Sequence, residues 1–81
     1  MNIEVLFFAQ VRESLGTDRK SLTVSPGVTV AEVLAHLAES PEWQTIKRLP
    51  MRFAVNEQVV DTTHALRDGD RVALLTPVSG G

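Results

Sequence analysis

The sequence predicts an α+β fold in two layers, a mixed sheet of about five strands carrying one main helix and a short second helix. Three observations point there. Five short segments are rich in β-branched and aromatic residues, the types that suit a pleated, half-buried surface. One stretch after Thr29 places its apolar residues at the spacing of a single helical face. Strands precede and follow that helix, so a sheet face and a helix face can bury each other in one core. A chain of 81 residues buries roughly 60 to 65% of its unfolded surface, which supports one core and no second domain. Residues 1–81 are therefore expected to form one domain with a tail from about residue 76.

Residues 2–8 form the expected first strand. Glu4 marks its accessible side, so Ile3, Val5 and Phe7 should point into the core and Leu6 and Phe8 away from it. Residues 9–15 suit about two helical turns and stop at Gly16, a residue common just past a helix end. A second strand over 20–24 closes at Pro26-Gly27. Thr29 and Glu32 then have capping-box spacing, and Val28 and Val33 can form a hydrophobic staple. Val30, Val33, Leu34, Leu37 and Ala38 follow on one face of the main helix, which Pro41 ends near Ser40. Residues 43–50 read as a connection whose Trp43, Ile46 and Leu49 can close the rim of the core. Short strands over 51–55 and 58–60 flank Asn56-Glu57, a tight turn lacking the usual glycine. After an irregular stretch over 61–66, the Asp68-Gly69-Asp70 turn launches a last strand over 71–75, and Pro77 removes the next ladder donor.

Composition excludes several function classes. The net charge is -2 and the eight lysines and arginines are scattered, so the basic footprint of a nucleic-acid binder is missing. No apolar run approaches the roughly 18 residues of a membrane span. The N-terminal stretch carries Glu4 and no basic leader, so it does not read as a signal peptide, and a cytoplasmic protein is expected. With no cysteine, disulfides, thiolate metal sites and side-chain sulfur chemistry are all removed. There is no glycine-rich phosphate loop, and His36 and His64 lack an obvious serine partner. Asp61, His64, Asp68 and Asp70 match neither calcium-loop nor zinc spacing and read as solvated turn residues; no metal site is expected.

The C-terminus is different. Two final glycines arise by chance in about 0.5% of chains at average usage. Standing alone, Gly80-Gly81 would still be a frayed chain end. Here, however, the pair follows a strand directly through Thr76-Pro77-Val78-Ser79, so the tail projects from a fixed edge of the fold. Glycine suits an activated acyl terminus because, lacking Cβ, it threads a narrow channel and leaves the carbonyl carbon unhindered. The terminal carboxylate, with an ordinary pKa of about 3.5, is a poor electrophile until converted to something like an acyl-adenylate. In a chain without cysteine, a thiocarboxylate there is the one chemically reasonable sulfur site. Strand alternation also puts Leu6, Phe8, Ala73, Leu75 and Ala54, with Val59, on the outer sheet face beside Arg71. Scattered surface hydrophobes are normal, but a contiguous apolar patch on a small protein marks a partner surface.

Taken together, Val5-Leu6-Phe7-Phe8-Ala9 with Val11-Arg12-Glu13, Ala54-Val55-Asn56, Leu66-Arg67-Asp68-Gly69-Asp70 with Val72-Ala73, and Pro77-Val78-Ser79-Gly80-Gly81 resemble the small sulfur-carrier subunits of molybdopterin synthases over essentially the whole chain. That family has the ubiquitin-like β-grasp fold. The resemblance implies that an ATP-dependent, E1-like activating enzyme adenylates Gly81 and that a sulfur-donor protein supplies the thiocarboxylate. The tail would then enter the large synthase subunit and deliver sulfur to cyclic pyranopterin monophosphate. It further implies that Gly81 reacts, Gly80 grants access, and Phe8, Arg12, Val59, Leu75, Pro77 and Val78 dock. Leu75 stands where the family often has an aromatic. No cofactor is expected on this chain itself, ATP being used by the activating enzyme, and the catalytic pocket would belong to the large subunit. The thiamine-pathway sulfur carriers share the fold and the Gly-Gly end, though they generally lack the Ala9-Gln10-Val11-Arg12-Glu13 segment. A carrier for cysteine synthesis, a protein-conjugating modifier and a β-grasp interaction module with an inert tail remain open alternatives.

Overall fold

A computed structural model describes residues 1–46 and 50–76. Its elements are β1 (Asn2–Phe7), α1 (Ala9–Leu15), β2 (Arg19–Thr23), α2 (Val30–Leu37), α3 (Trp43–Ile46), β3 (Arg52–Val55), β4 (Gln58–Val60) and β5 (Arg71–Leu75). The five strands lie in the order β2-β1-β5-β3-β4. β1 and β5 are parallel at the centre, with Val5 opposite Val72 and Phe7 opposite Leu74. All the other neighbours are antiparallel. This is the expected mixed five-stranded sheet, and the elements follow in the expected order.

Alternation decides which side of the sheet becomes core. Ile3, Val5 and Phe7 of β1 and Val72 and Leu74 of β5 are buried against Val30, Val33 and Leu37 of α2 and Val11 of α1. Glu4 and Leu6 point the other way and stay half-exposed, as the strand pattern requires. α2 starts as predicted. The Thr29 side chain accepts the backbone N–H of Glu32 at 3.3 Å, and the Thr29 N–H donates to the Glu32 carboxylate at 3.4 Å. Val28 and Val33, the staple pair, are both buried. α1 ends where expected, at Gly16, whose left-handed φ of 72° would strain a residue with a Cβ.

Three expectations need correction. The main helix is only 8 residues, one more than α1. Beyond Leu37 the chain tightens: the N–H groups of Glu39 and Ser40 reach back three residues, to His36 and Leu37. Such bonds satisfy terminal carbonyls without extending an α-helix, and they leave Ala38 exposed at the cap instead of on the buried face. The connection after Pro41 contains a helical turn, α3, which seats Trp43 in the core at 6% exposure. The roles expected for Ile46 and Leu49 fall on side chains outside the described residues. Finally, β2 begins one residue early, although its ladder continues through Val24, which exchanges backbone hydrogen bonds with Met1 at 2.8 Å each way.

The Asn56-Glu57 turn forms without glycine, both residues having positive φ, 49° and 74°. Asn56 accepts the Arg71 N–H at 3.0 Å and donates to Asp70 at 2.9 Å, which holds it in a region asparagine tolerates. No comparable hydrogen bond holds the Glu57 side chain among the described residues. Glu57→Gly should therefore raise stability by up to about 1 kcal/mol by relieving the backbone. In the same denaturant titrations, Leu74→Ala should cost about 2–5 kcal/mol and Thr29→Ala about 1 kcal/mol.

Candidate functional site

The sheet face turned away from the helices is built by register. One row crosses all five strands: Arg19 on β2, Leu6 on β1, Ala73 on β5, Ala54 on β3 and Val59 on β4. A second row places Ser21, Glu4 and Arg71 side by side, and Leu75 lies opposite Arg52. Phe8 follows the Phe7–Leu74 pair by one residue, which brings it level with Leu75 at the end of the sheet where β5 gives way to the tail. The apolar face read from the sequence therefore exists as one surface. Its relief is uneven. Phe8 and Val59 are exposed, at 43% and 68%, while Leu6, Ala73 and Leu75 are half-buried. Ala54, between Ala73 and Val59 in the row, is buried at 6% yet does not belong to the core cluster. Leu6, Phe8, Ala73, Arg71, Asn56 and Glu57, with Gly69, line a groove of about 590 Å³ along this face.

Among the residues expected to dock, Phe8, Leu75 and Val59 share this surface. Val59 sits at the far edge, two strands or about 10 Å from Ala73. Arg12 is exposed on α1, and its N–H donates to the Phe8 carbonyl at 3.3 Å, so it follows Phe8 by one turn. Thr76 is the last described residue. Pro77, Val78, Gly80 and Gly81 lie outside the described residues.

Several charged residues on and beside the face have partners within the molecule. Arg19 pairs with Glu4 at 3.4 Å and reaches Asp18 at 3.8 Å. Around the start of β5, Asp68 accepts the Asn2 N–H at 2.7 Å, and Asp70 accepts the N–H of Arg67 at 2.8 Å and the amide of Asn56. Asp61 accepts the backbone N–H of Thr63 at 2.9 Å and the Thr63 hydroxyl. These are turn-stabilising roles, as read from the sequence, and among the described residues no group of three or more His, Asp or Glu side chains is placed to hold a metal. His36 is exposed and lies 3.6 Å from Glu39. The role of Asn56 as hub between the β3–β4 turn and β5 escaped sequence reasoning. Its signal was the asparagine at the glycine-free turn itself.

The Thr63 hydroxyl and, after it, the Thr63 N–H hold the Asp61 carboxyl below its ordinary pKa of 3.8. The Ser40 hydroxyl acts likewise on Glu42. A depressed folded-state pKa means that the contribution of Asp61 is complete above the unfolded value and lost as pH falls through the folded one. Asp61→Asn should therefore flatten the acid limb of the stability curve below about pH 4, and NMR titration of the wild-type carboxyl should place its midpoint under the ordinary aspartate value. On the sheet face, adjacent phenylalanines should separate folding from docking. Phe7→Ala, at a buried site, should cost about 3–5 kcal/mol. Phe8→Asp should change the melting temperature little while weakening partner binding, both read on the same samples by calorimetry.

With this geometry in hand, similarity to known proteins becomes informative. The ThiS family model matches residues 5–81. The molybdopterin synthase sulfur carrier subunit of Escherichia coli (strain K12) is 42% identical over 98% of this chain and 99% of its own length. That of Chlamydomonas reinhardtii is 34% identical over 100% of both chains. A chain in the complex of subunits 1 and 2 of the molybdopterin-converting factor from Helicobacter pylori 26695 superimposes with a TM-score of 0.77 at 27% identity, over 100% of both chains. SAMP1 from Haloferax volcanii superimposes with a TM-score of 0.85 at 24% identity, which shows a shared fold. The outer sheet face, the strand that leads into the Gly-Gly tail and these full-length matches agree: the chain belongs to the ThiS family, among the molybdopterin synthase sulfur carrier subunits.

Proposed function

We propose that this protein carries sulfur on its C-terminal glycine for molybdopterin synthesis, and that the folded body serves to present that glycine. The observation that carries the reading is the placement of the apolar outer face beside the end of β5, the strand that leads into Thr76 and the Gly-Gly tail. A protein seated on Phe8, Leu6 and Leu75 has the root of the tail at its own surface. Full-length relatives named as molybdopterin synthase sulfur carrier subunits support the same reading.

The chemistry follows from the terminal carboxylate. An activating enzyme lets a carboxylate oxygen of Gly81 attack the α-phosphorus of ATP, releasing pyrophosphate and leaving an acyl-adenylate. A sulfide equivalent from a donor protein adds to the carbonyl carbon, the C–O bond to AMP breaks, and a thiocarboxylate remains. In the large synthase subunit the thiocarboxylate sulfur bonds to a side-chain carbon of the pterin precursor as that carbon's bond to oxygen breaks, the oxygen leaving as water or staying with the phosphate. Water then cleaves the acyl–sulfur bond and returns the carboxylate. One sulfur moves per cycle, so a dithiolene needs two charged carriers. The acid and base groups for these steps are assigned to the partner enzymes. The chain's part is to bind, to orient the tail and, through the two glycines, to pass a narrow channel without side-chain hindrance. The Helicobacter pylori complex of subunits 1 and 2 supports a large-subunit partner for this chain.

Incubation with the activating enzyme, ATP and a sulfur donor should replace one oxygen by sulfur, read as intact mass and mapped to Gly81. Deletion of Gly81, or one residue added after it, should abolish sulfur transfer and leave the melting temperature within error, because terminal residues make few stabilising contacts. An unchanged mass with every component active would refute the carrier reading, and sulfur delivered to a thiazole precursor in place of the pterin would move the chain to the thiamine branch.

A further inference from the structure

The outer face gathers half of the chain's basic residues, beside acidic ones that include Glu4 and Glu57. The net charge is -2, yet Arg12, Arg19, Arg52 and Arg71, four of the chain's eight basic residues, lie on or beside the outer face. Arg19 is satisfied within the molecule by Glu4 and Asp18. Arg52 and Arg71 are not: both are exposed, and among the described residues neither side chain makes an ion pair or a hydrogen bond. Register makes this pointed for Arg71. Its neighbour on β1 is Glu4, but that carboxylate is directed to Arg19 on the far side. Arg71 lines the groove together with Leu6, Phe8, Ala73 and the carboxylate-bearing Glu57. Arg52 lies outside the groove lining, across from Leu75 on the same face. Four residues along β5 and one strand across put the two Cα positions about 14 Å apart.

An arginine planted beside an apolar stripe presents a rigid fork that matches a carboxylate in two parallel hydrogen bonds. Two of them, unpaired and bracketing the stripe, lay out a complementary surface. We infer that the partner protein seated on this face is apolar at its centre and carries acidic side chains at two rim positions about 14 Å apart, one meeting Arg71 and one meeting Arg52. The pair selects among partners, since a basic residue at either rim position would be repelled, and it sets the direction in which the tail enters. The inference rests on the proposed docking function and refines it by naming the charge of the partner surface.

The test uses the full-length chain and the large synthase subunit from the same organism, with association followed by surface plasmon resonance from low to high salt. Arg52→Glu and Arg71→Glu should each weaken binding on the order of tenfold at low salt, mainly through the association rate, and the loss should shrink as salt screens the charges. Arg67→Glu, in the turn off this face, should bind as wild type, and all three variants should keep the wild-type melting temperature. Equal or tighter binding of both face variants overturns the acidic-rim inference. If Phe8→Asp still abolishes binding in that case, the docking function stands and only its charge assignment falls. If Phe8→Asp binds as wild type too, the sheet face is not the docking surface and both readings fall.

Discussion

The parallel pairing of β1 with β5 is the constraint on which the rest depends. It joins the two ends of the chain at the sheet centre, Val5 against Val72 and Phe7 against Leu74, all four buried. Almost the whole chain lies between those partners, so the pairing carries a long loop-closure cost that local structure cannot offset. What offsets it is the apolar area these side chains and α2 remove from water together. The consequence for function is immediate. The same register that buries Val72 and Leu74 sets Ala73 beside Leu6 and Leu75 level with Phe8, so the core and the outer apolar face are two sides of one decision.

The polar network at the opposite end of the sheet makes that register single-valued. Asn56, Asp70, Asp68 and Asn2 exchange hydrogen bonds that tie the β3–β4 turn, the 68–70 turn and the start of β1 together. A slip of one residue would break every one of them and turn the apolar side chains of β5 outward. The carboxylates in these turns thus have structural duties. Strain is tolerated at Glu57 because the hairpin geometry, fixed on both sides by paired strands, leaves it no other conformation.

This arrangement suits a carrier whose reacting atoms belong to its chain end. Under the proposed function, the uneven outer face gives a partner area to hold, while the reaction is left to groups the partner supplies. In the proposed docking, the apolar centre would supply binding area and the flanking arginines direction, which is how interfaces commonly divide affinity from orientation.

Much of this was legible from residue order. Alternation in Ile3 to Phe7 fixed the two faces of β1. Thr29 and Glu32 fixed the start of α2, and Gly16 the end of α1. Each is local, because the hydrogen bond or backbone angle concerned involves residues within one turn of each other. The resemblance to the sulfur-carrier subunits was likewise legible without any coordinates. The tertiary structure alone decided the rest. That β5 inserts between β1 and β3, that Ala54 is buried outside the core cluster, that Trp43 enters the core on a helical turn, and that Glu4 turns to Arg19 and leaves Arg71 without a partner among the described residues all depend on residues far apart in the chain. Local patterning sets which way a side chain points from its own strand, but its neighbours are chosen only when the strands pair, and it is those neighbours that make a surface.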